Sequence, residues 1–223
     1  MEYEEWRKFY IKILKDFGFS EEEDLKAGRL LKNFLESQQR SGCKDLEKLI
    51  KSKRVNIFGA GIGLERLKEI PEGTNIACDG ATTFLMERGI KPEIIVTDLD
   101  GKVEDQIEAS ENGSLVVIHA HGDNISSLKK YLPRFRKVIP TMQAEPVDGV
   151  YNFGGFTDGD RAVALACHFG AGEIMLYGFD FKGAIGRYSF TLDIKKKRKK
   201  LLWAERIIGY LVNNGEKIRW YDG

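Results

Sequence analysis

The sequence predicts a doubly wound, mostly parallel α/β sheet behind a small N-terminal helical region. Three observations carry that expectation. Hydrophobic periodicity is helical in the first fifty or so residues and changes near residue 53 to short β-branched runs. Those runs alternate with segments of helix length, the pattern of strands joined by crossover helices. Several runs are apolar on successive residues, as suits strands covered by helices on both faces. The expected division is 1–52 for the helical region and 53–223 for the α/β domain.

In chain order, Trp6, Phe9, Tyr10, Ile13, Leu14 and Phe17 recur at helical spacing, and Gly18 stops that helix. Ser20 and Glu23 are spaced as a capping box for a second helix that carries Leu30, Leu31, Phe34 and Leu35. Beyond Lys53, strands are expected at VNIF, NIAC, IIVT, LVVIH, KVI, EIMLY and KIRWY. Helices are expected to begin near Leu64, Thr82, Val103, Asn124, Asp158 and Asp193. In such a sheet, ligands bind beyond the carboxyl ends of the strands, so a functional motif should fall just after a strand.

Composition narrows the partners. With 35 Lys+Arg against 34 Asp+Glu and a net charge of +1, the 223-residue chain lacks the basic excess of a protein that lives on nucleic acid or an anionic membrane. A hydrophobic fraction of 42% excludes global disorder. The charged fraction of 31% exceeds the usual ~25% and is mostly Lys and Glu, which predicts ion-pair networks suited to high temperature. Cys43, Cys78 and Cys167 are odd in number and contain no CxxC pair, so neither a disulfide framework nor a zinc cluster is expected. The opening MEYEEWRKFYIKIL lacks a secretory pattern and no stretch suits a bilayer span, so the expected location is the cytoplasm.

Four blocks follow strands. FGAGIG, residues 58–63, supplies Gly59, Gly61 and Gly63 where backbone amides can approach a phosphate, although Leu64 occupies the third dinucleotide-fingerprint position. Residues 78–101 place Asp79 after one strand and Asp98 and Asp100 after the next. Residues i and i+2 of a strand share a side, so Asp98 and Asp100 should face one pocket, and oxygen-only ligands at this density suit magnesium. HAHGDN brings His119 and His121, for which a structural or substrate-contact role ranks above metal ligation, and Asp123, which would either enter the carboxylate crevice or cap the next helix. NFGGFTDGDRA places Asp158 in a helix first turn, with Thr157 and Asp160 as a capping box. Downstream, Lys182 and Arg187 are of the type and placement a triphosphate requires, and the run KKKRKK reads chiefly as a solvated helix face, with phosphate or nucleic-acid contact as the alternative.

Taken together, these blocks resemble a known family. DGATTFLMERGIKPEIIVTDLDG is similar to the paired signature of the thiamin pyrophosphokinase fold, and TDGDRAVALA to its Thr-Asp helix start. The ordered set CDGAT, VTDLDG, HAHGDN, NFGGFTDGDRA and YGFDF more closely resembles the archaeal 6-hydroxymethyl-7,8-dihydropterin pyrophosphokinases over about residues 55–185. That resemblance implies a Rossmann-like catalytic domain and magnesium-dependent transfer of pyrophosphate from ATP to the hydroxymethyl group of a reduced pterin. AMP would leave, within folate- or methanopterin-type biosynthesis, and a homodimer is implied. Metal and phosphate roles carry to Asp79, Asp98 and Asp100, with Asp158 as a further acid, while the glycine turn would hold phosphates or adenosine.

Asp123 is a candidate acceptor of the hydroxyl proton, and Phe153, Phe156, Asn152 and Gln143 are candidates to contact the pterin. Leu99-Asp100-Gly101 departs from the aromatic and Ser favoured by the thiamin enzymes, which argues against a thiamin-like pocket. Two other readings remain open on the residues. One is a sugar-nucleotide transferase using Asp98 and Asp100 as a DxD pair, and the other is a dinucleotide-binding module built on FGAGIG and Asp79.

Overall fold

Gly18 ends the first helix, α1 (Tyr3–Phe17), with a left-handed φ of 69°. The computed structural model describes residues 1–36, 42–190 and 193–221. Four acids in the first turn of α2 (Glu21–Glu36) match the positive end of its dipole. The Glu23 amide donates to Ser20 Oγ at 3.4 Å, a long version of the expected cap. A third helix, α3 (Cys43–Ile50), adds to the two read from periodicity; its eight residues hold only Leu46 and Ile50 on a buried face, too few turns for a periodic signal.

The seven strands fall where the apolar runs predict: β1 (Arg54–Phe58), β2 (Thr74–Cys78), β3 (Ile94–Thr97), β4 (Leu115–Ala120), β5 (Val138–Met142), β6 (Glu173–Tyr177) and β7 (Ile218–Trp220). Between and after them lie α4 (Ala81–Met86), α5 (Val103–Glu111), α6 (Ile125–Tyr131), α7 (Asp158–His168) and α8 (Ile194–Asn213). The helix expected near Leu64 is instead a single 3-10 segment, Ile62–Arg66. The chain must return to start β2 at Thr74, and Pro71 and Gly73 lie in the stretch that does so.

Among the described residues every strand pair is parallel, in the order β5-β4-β3-β2-β1-β6-β7. The chain steps outward from β1 to β5, then returns to lay β6 on the other side of β1. The switch point therefore falls between β1 and β6, and crevices open at the carboxyl edge there. Alternate residues of the strands feed two cores. Ile95, Val116 and Ile118 join α1, α2, α5 and α6 on one face, while Ile57, Ile76, Val96 and Val117 join α3, α7 and the distal half of α8 on the other. A third cluster packs Phe58 and Ala77 against Phe84 and Leu85 of α4. No helix among the described residues is long and apolar enough to cross a membrane.

The first two helices share the main core of the sheet. Trp6, Tyr10, Ile13 and Leu31 are at most 1% exposed within the cluster that contains Val116 and Ile118. Polar contacts fix their position. Asp24, itself buried, accepts from Tyr10 Oη at 2.7 Å, from Gln143 Nε2 at 2.8 Å and from the Gly122 amide at 2.8 Å. Trp6 Nε1 donates to the Gln143 carbonyl at 2.7 Å. One carboxylate thus joins α1, α2, the loop after β4 and the loop after β5. Asp24→Ala strands two buried donors, Tyr10 Oη and Gln143 Nε2, and should cost about 2–4 kcal/mol in urea unfolding with an unchanged m-value. A loss below about 0.5 kcal/mol would show that the junction carries no stability.

Candidate active site

The carboxyl edge of the sheet opens into a cleft of about 320 Å³. Strand order sets its layout. Gln143 follows β5, His121 and Asp123 follow β4, Asp98 and Asp100 follow β3, Asp79 follows β2, Gly59 and Gly61 follow β1, and Gly178 to Phe181 follow β6. Asp158, from the start of α7, and Lys196, Lys197 and Lys200, from α8, complete the walls.

Asp79, Asp98 and Asp100 each place a carboxylate oxygen within 4.8 Å of the others. Their convergence has a different cause from the extended alternation expected of them. β3 ends at Thr97, and Leu99 sits at a φ of 67°, so a left-handed turn rather than a strand swings Asp98 and Asp100 to one side. Asp79 is also left-handed, at 45°. Such backbone in non-glycine residues costs of order 1–2 kcal/mol each and persists only where neighbours enforce it. Thr97 does much of the enforcing: its buried Oγ1 donates to Asp79 Oδ1 at 3.0 Å and accepts from the Leu99 amide at 2.9 Å. Gln106 Nε2, from α5, donates to the same Asp79 oxygen at 2.8 Å. Gly101 is required by contact, since a Cβ there would lie 2.2 Å from Asp79 Oδ2.

The histidine loop braces this cluster. Asn124 Nδ2 donates to the carbonyls of Asp98 (2.8 Å) and His119 (2.7 Å), and its Oδ1 accepts from the His121 amide at 3.0 Å. His121 Nδ1 accepts from the Asp123 amide at 3.2 Å, so its proton sits on Nε2, which donates to Asp98 Oδ2 at 3.3 Å. His119 lies beneath, its ring 5.5 Å from that of His121, with neither nitrogen partnered among the described residues. Burial, reinforced by Arg161, pushes its pKa well below the ordinary value, so it is neutral. Asp123 caps no helix; its carboxylate pairs with Lys196 Nζ at 3.2 Å.

Crowding shifts the acids in opposite directions. Burial, then the charge of Asp98, raises Asp79 and raises Asp158 strongly. Burial together with Asp98 and Asp79 pushes Asp100 up to about 8. At Asp98 burial alone would act the same way, but the His121 hydrogen bond and the charge of Lys200 outweigh it and hold the carboxyl below the usual range. One fixed anion thus sits among three acids that resist ionising together. Asp98 Oδ1 is buried and has no partner among the described residues, and the donor set is oxygen only. Both facts fit a hard divalent cation such as magnesium.

Several expected site residues lie elsewhere. Lys182 pairs with Glu205 at 3.3 Å, and Arg187 bonds Tyr188 Oη at 2.6 Å and pairs with Glu65 at 3.7 Å; neither lines the cleft. The cations that do so belong to the KKKRKK run expected chiefly as a solvated face. Lys197 and Lys200 line the cleft with no carboxylate at ion-pair distance among the described residues. Gly59 and Gly61 line it too, but their amides already donate to the carbonyls of Tyr177 (2.8 Å) and Gly178 (2.9 Å). A Cβ at Gly61 would lie 2.4 Å from the Gly178 carbonyl, so this glycine lets two loops touch rather than baring amides to a phosphate, and Gly63 lies outside the lining. Of the four candidate pterin contacts, Gln143 and Phe156 line the cleft. Phe153 packs against His168 and Phe169 in the core, and Asn152 is spent on the carbonyls of Gln143 and Ala144. Thr97, Gln106 and Asn124 had no legible signal as brackets, because each acts through contacts distant in the chain.

Fold and cleft together define a class: a doubly wound α/β protein with a carboxylate-lined crevice at the carboxyl edge of its sheet. Sequence comparison places the chain within it. Residues 28–185 match the family described as 6-hydroxymethylpterin diphosphokinase MptE-like, and the chain belongs to that family. A relative from Pyrococcus furiosus named 6-hydroxymethyl-7,8-dihydropterin pyrophosphokinase is 46% identical over 96% of this chain and 96% of its own length. Relatives of the same name from Methanothermobacter thermautotrophicus and Methanocaldococcus jannaschii are 44% identical (97% of each chain) and 40% identical (95% of this chain, 96% of the relative). Among solved structures, a thiamine pyrophosphokinase from Bacillus subtilis aligns with a TM-score of 0.39 and 18% identity, covering 76% of this chain and 60% of that one.

The raised acids set a pH signature for the metal-free protein. A carboxyl whose folded pKa exceeds its unfolded value binds more protons when folded, so stability falls as pH rises between the two values. For Asp100 that window runs from 3.8 to about 8. In chelator, the thermal midpoint should fall from pH 5 to pH 8, and Asp100→Asn should flatten the fall. An unchanged slope in that variant would show that the repulsion is not felt.

Proposed function

We propose that the protein transfers the pyrophosphoryl group of ATP to the hydroxymethyl oxygen of 6-hydroxymethyl-7,8-dihydropterin, releasing AMP, with magnesium required. The observation that carries this is the pairing, across one cleft, of three converging carboxylates with two unpaired lysines, in a chain of this family. A pyrophosphoryl transfer needs an oxygen-ligated cation and fixed positive charge on the same polyphosphate, and little covalent help.

Asp79, Asp98 and Asp100 would hold the magnesium, with Asp158 lining the same cleft as a further acid. When bound, the ion neutralises charge on the phosphate oxygens and lets the raised carboxyls ionise. The chain's own residues do the rest. Thr97 and Gln106 occupy Asp79 Oδ1, which leaves Oδ2 for the site. His121 fixes one oxygen of Asp98. Lys197 and Lys200 neutralise the polyphosphate from the opposite wall. In the reaction the hydroxymethyl oxygen bonds to the β-phosphorus and the bond from that phosphorus to the α–β bridging oxygen breaks. Its electron pair leaves with AMP, and the hydroxyl proton passes to a carboxylate, for which Asp123, which lines the cleft beside His121, is the candidate. The product is an activated pterin for folate- or methanopterin-type biosynthesis, a reaction this reading assigns to the cytoplasm.

Protein, magnesium, ATP and the reduced pterin should yield AMP and the pterin diphosphate by chromatography; ADP as the nucleotide product, or no turnover, rejects the assignment. Asp98→Asn should lower kcat by about a thousandfold or more with a melting midpoint no lower than the parent's, since it removes charge at constant volume and relieves the repulsion on Asp79, Asp100 and Asp158. Lys197→Ala should raise KM for ATP about tenfold, whereas Lys182→Ala should stay within about twofold, and the reverse ranking would return the phosphate site to the loop after β6.

A further inference from the structure

The cleft is lined by aromatic residues at each end of the strand order, with the acids between them. At the β6 end, Phe179, Phe181 and Ile185 line the crevice beside Gly59 and Gly61, at the switch point where doubly wound sheets hold nucleotides. At the β5 end stand Phe156, from the loop before α7, and Phe19, from the turn that joins α1 to α2. Their centroids are 6.4 Å apart at an interplanar angle of 54°, a tilted pair that lines the cleft and can offer a flat ring an aromatic partner. Phe17 backs both, at 5.2 Å from each.

Two further features give this end its chemistry. Gln143 forms its polar side, with Nε2 tied to the buried Asp24, which fixes the orientation of an amide suited to the amide-like edge of a pterin. Lys196 Nζ lies 5.1 Å from the Phe19 centroid and 3.2 Å from Asp123, while Lys200 Nζ lies 5.7 Å from the Phe156 centroid. Lys196 thus links the Phe19 ring to Asp123, which lines the same cleft as the acids.

We propose that the β5 end is the acceptor subsite, with Phe19 and Phe156 as its aromatic walls, so that the N-terminal helical arm supplies a substrate-binding residue. This assignment rests on the pyrophosphokinase function proposed above. The nucleotide ring is then left to the β6 end.

Direct binding of 6-hydroxymethyl-7,8-dihydropterin and of ATP, measured separately by calorimetry beside steady-state kinetics, tests it. Phe19→Ala should weaken pterin binding about tenfold or more, the scale of losing one aromatic stacking partner, with ATP affinity within about twofold. Phe19→Tyr should restore binding, and Phe181→Ala should weaken ATP instead of the pterin. If Phe19→Ala melts early, Phe19→Leu, which keeps apolar volume without the π face, is read in its place. Pterin affinity within about twofold of the parent in the folded variant, or equal losses for both ligands, overturns the subsite. Pterin binding that depends on Phe19 without any transfer by the parent protein would reject the catalytic assignment alone, whereas transfer indifferent to Phe19 would reject the subsite alone.

Discussion

Four carboxylates border one small space at the edge of this sheet, and their mutual repulsion is the constraint around which the neighbouring residues are arranged. Asp98 remains an anion because His121 and Lys200 favour its charge, while Asp79, Asp100 and Asp158 are held back from ionising by burial and by one another. Left-handed backbone at Asp79 and Leu99 adds local strain. Neutral donors, Thr97 and Gln106, hold Asp79 in place without removing the repulsion. Energy is thus stored where a cation and a polyphosphate would release it, and the cores on both faces of the sheet supply the stability that permits this.

The N-terminal helices belong to the same arrangement. Asp24 fastens α1 and α2 to the loops after β4 and β5, the loops that carry His121, Asp123 and Gln143. α8 reaches back across the cleft. Trp203 Nε1 donates to Asp16 Oδ2 at 2.8 Å, and Lys199 pairs with Asp16 at 2.9 Å. The change of periodicity near residue 53 marks a change of secondary structure, while the helices before it pack into the sheet's own core.

Much of this was legible in the sequence because it is local. Apolar runs located all seven strands, Gly18 and the Thr157–Asp160 box located helix ends, and the acids after β2 and β3 were picked out by position. What escaped depends on tertiary distance. Lys197 and Lys200 resemble any solvated helix face until α8 is laid over the cleft, and Phe19 looks like an ordinary turn aromatic until α1 docks. Lys182 and Arg187 had suitable charge in a suitable loop, but acids from Glu65 to Glu205 claim them first. The glycine turn after β1 matched a phosphate motif in composition, whereas its amides bond to the neighbouring strand and loop.

Because the stations of the cleft follow strand order, each is carried by its own loop on a common scaffold. Lengthening or rewriting a loop leaves the register of the sheet untouched, although the loop after β4 also holds Asp98 through Asn124 and His121. The loops after β4 and β5 and the turn at residues 18–20 form one separable unit, and those after β1 and β6 form another. Descendants of such a scaffold can rewrite the loop after β6 while inheriting the acids after β2 and β3 and the loop after β4 that braces them, a modularity that follows from the order in which parallel strands were laid down.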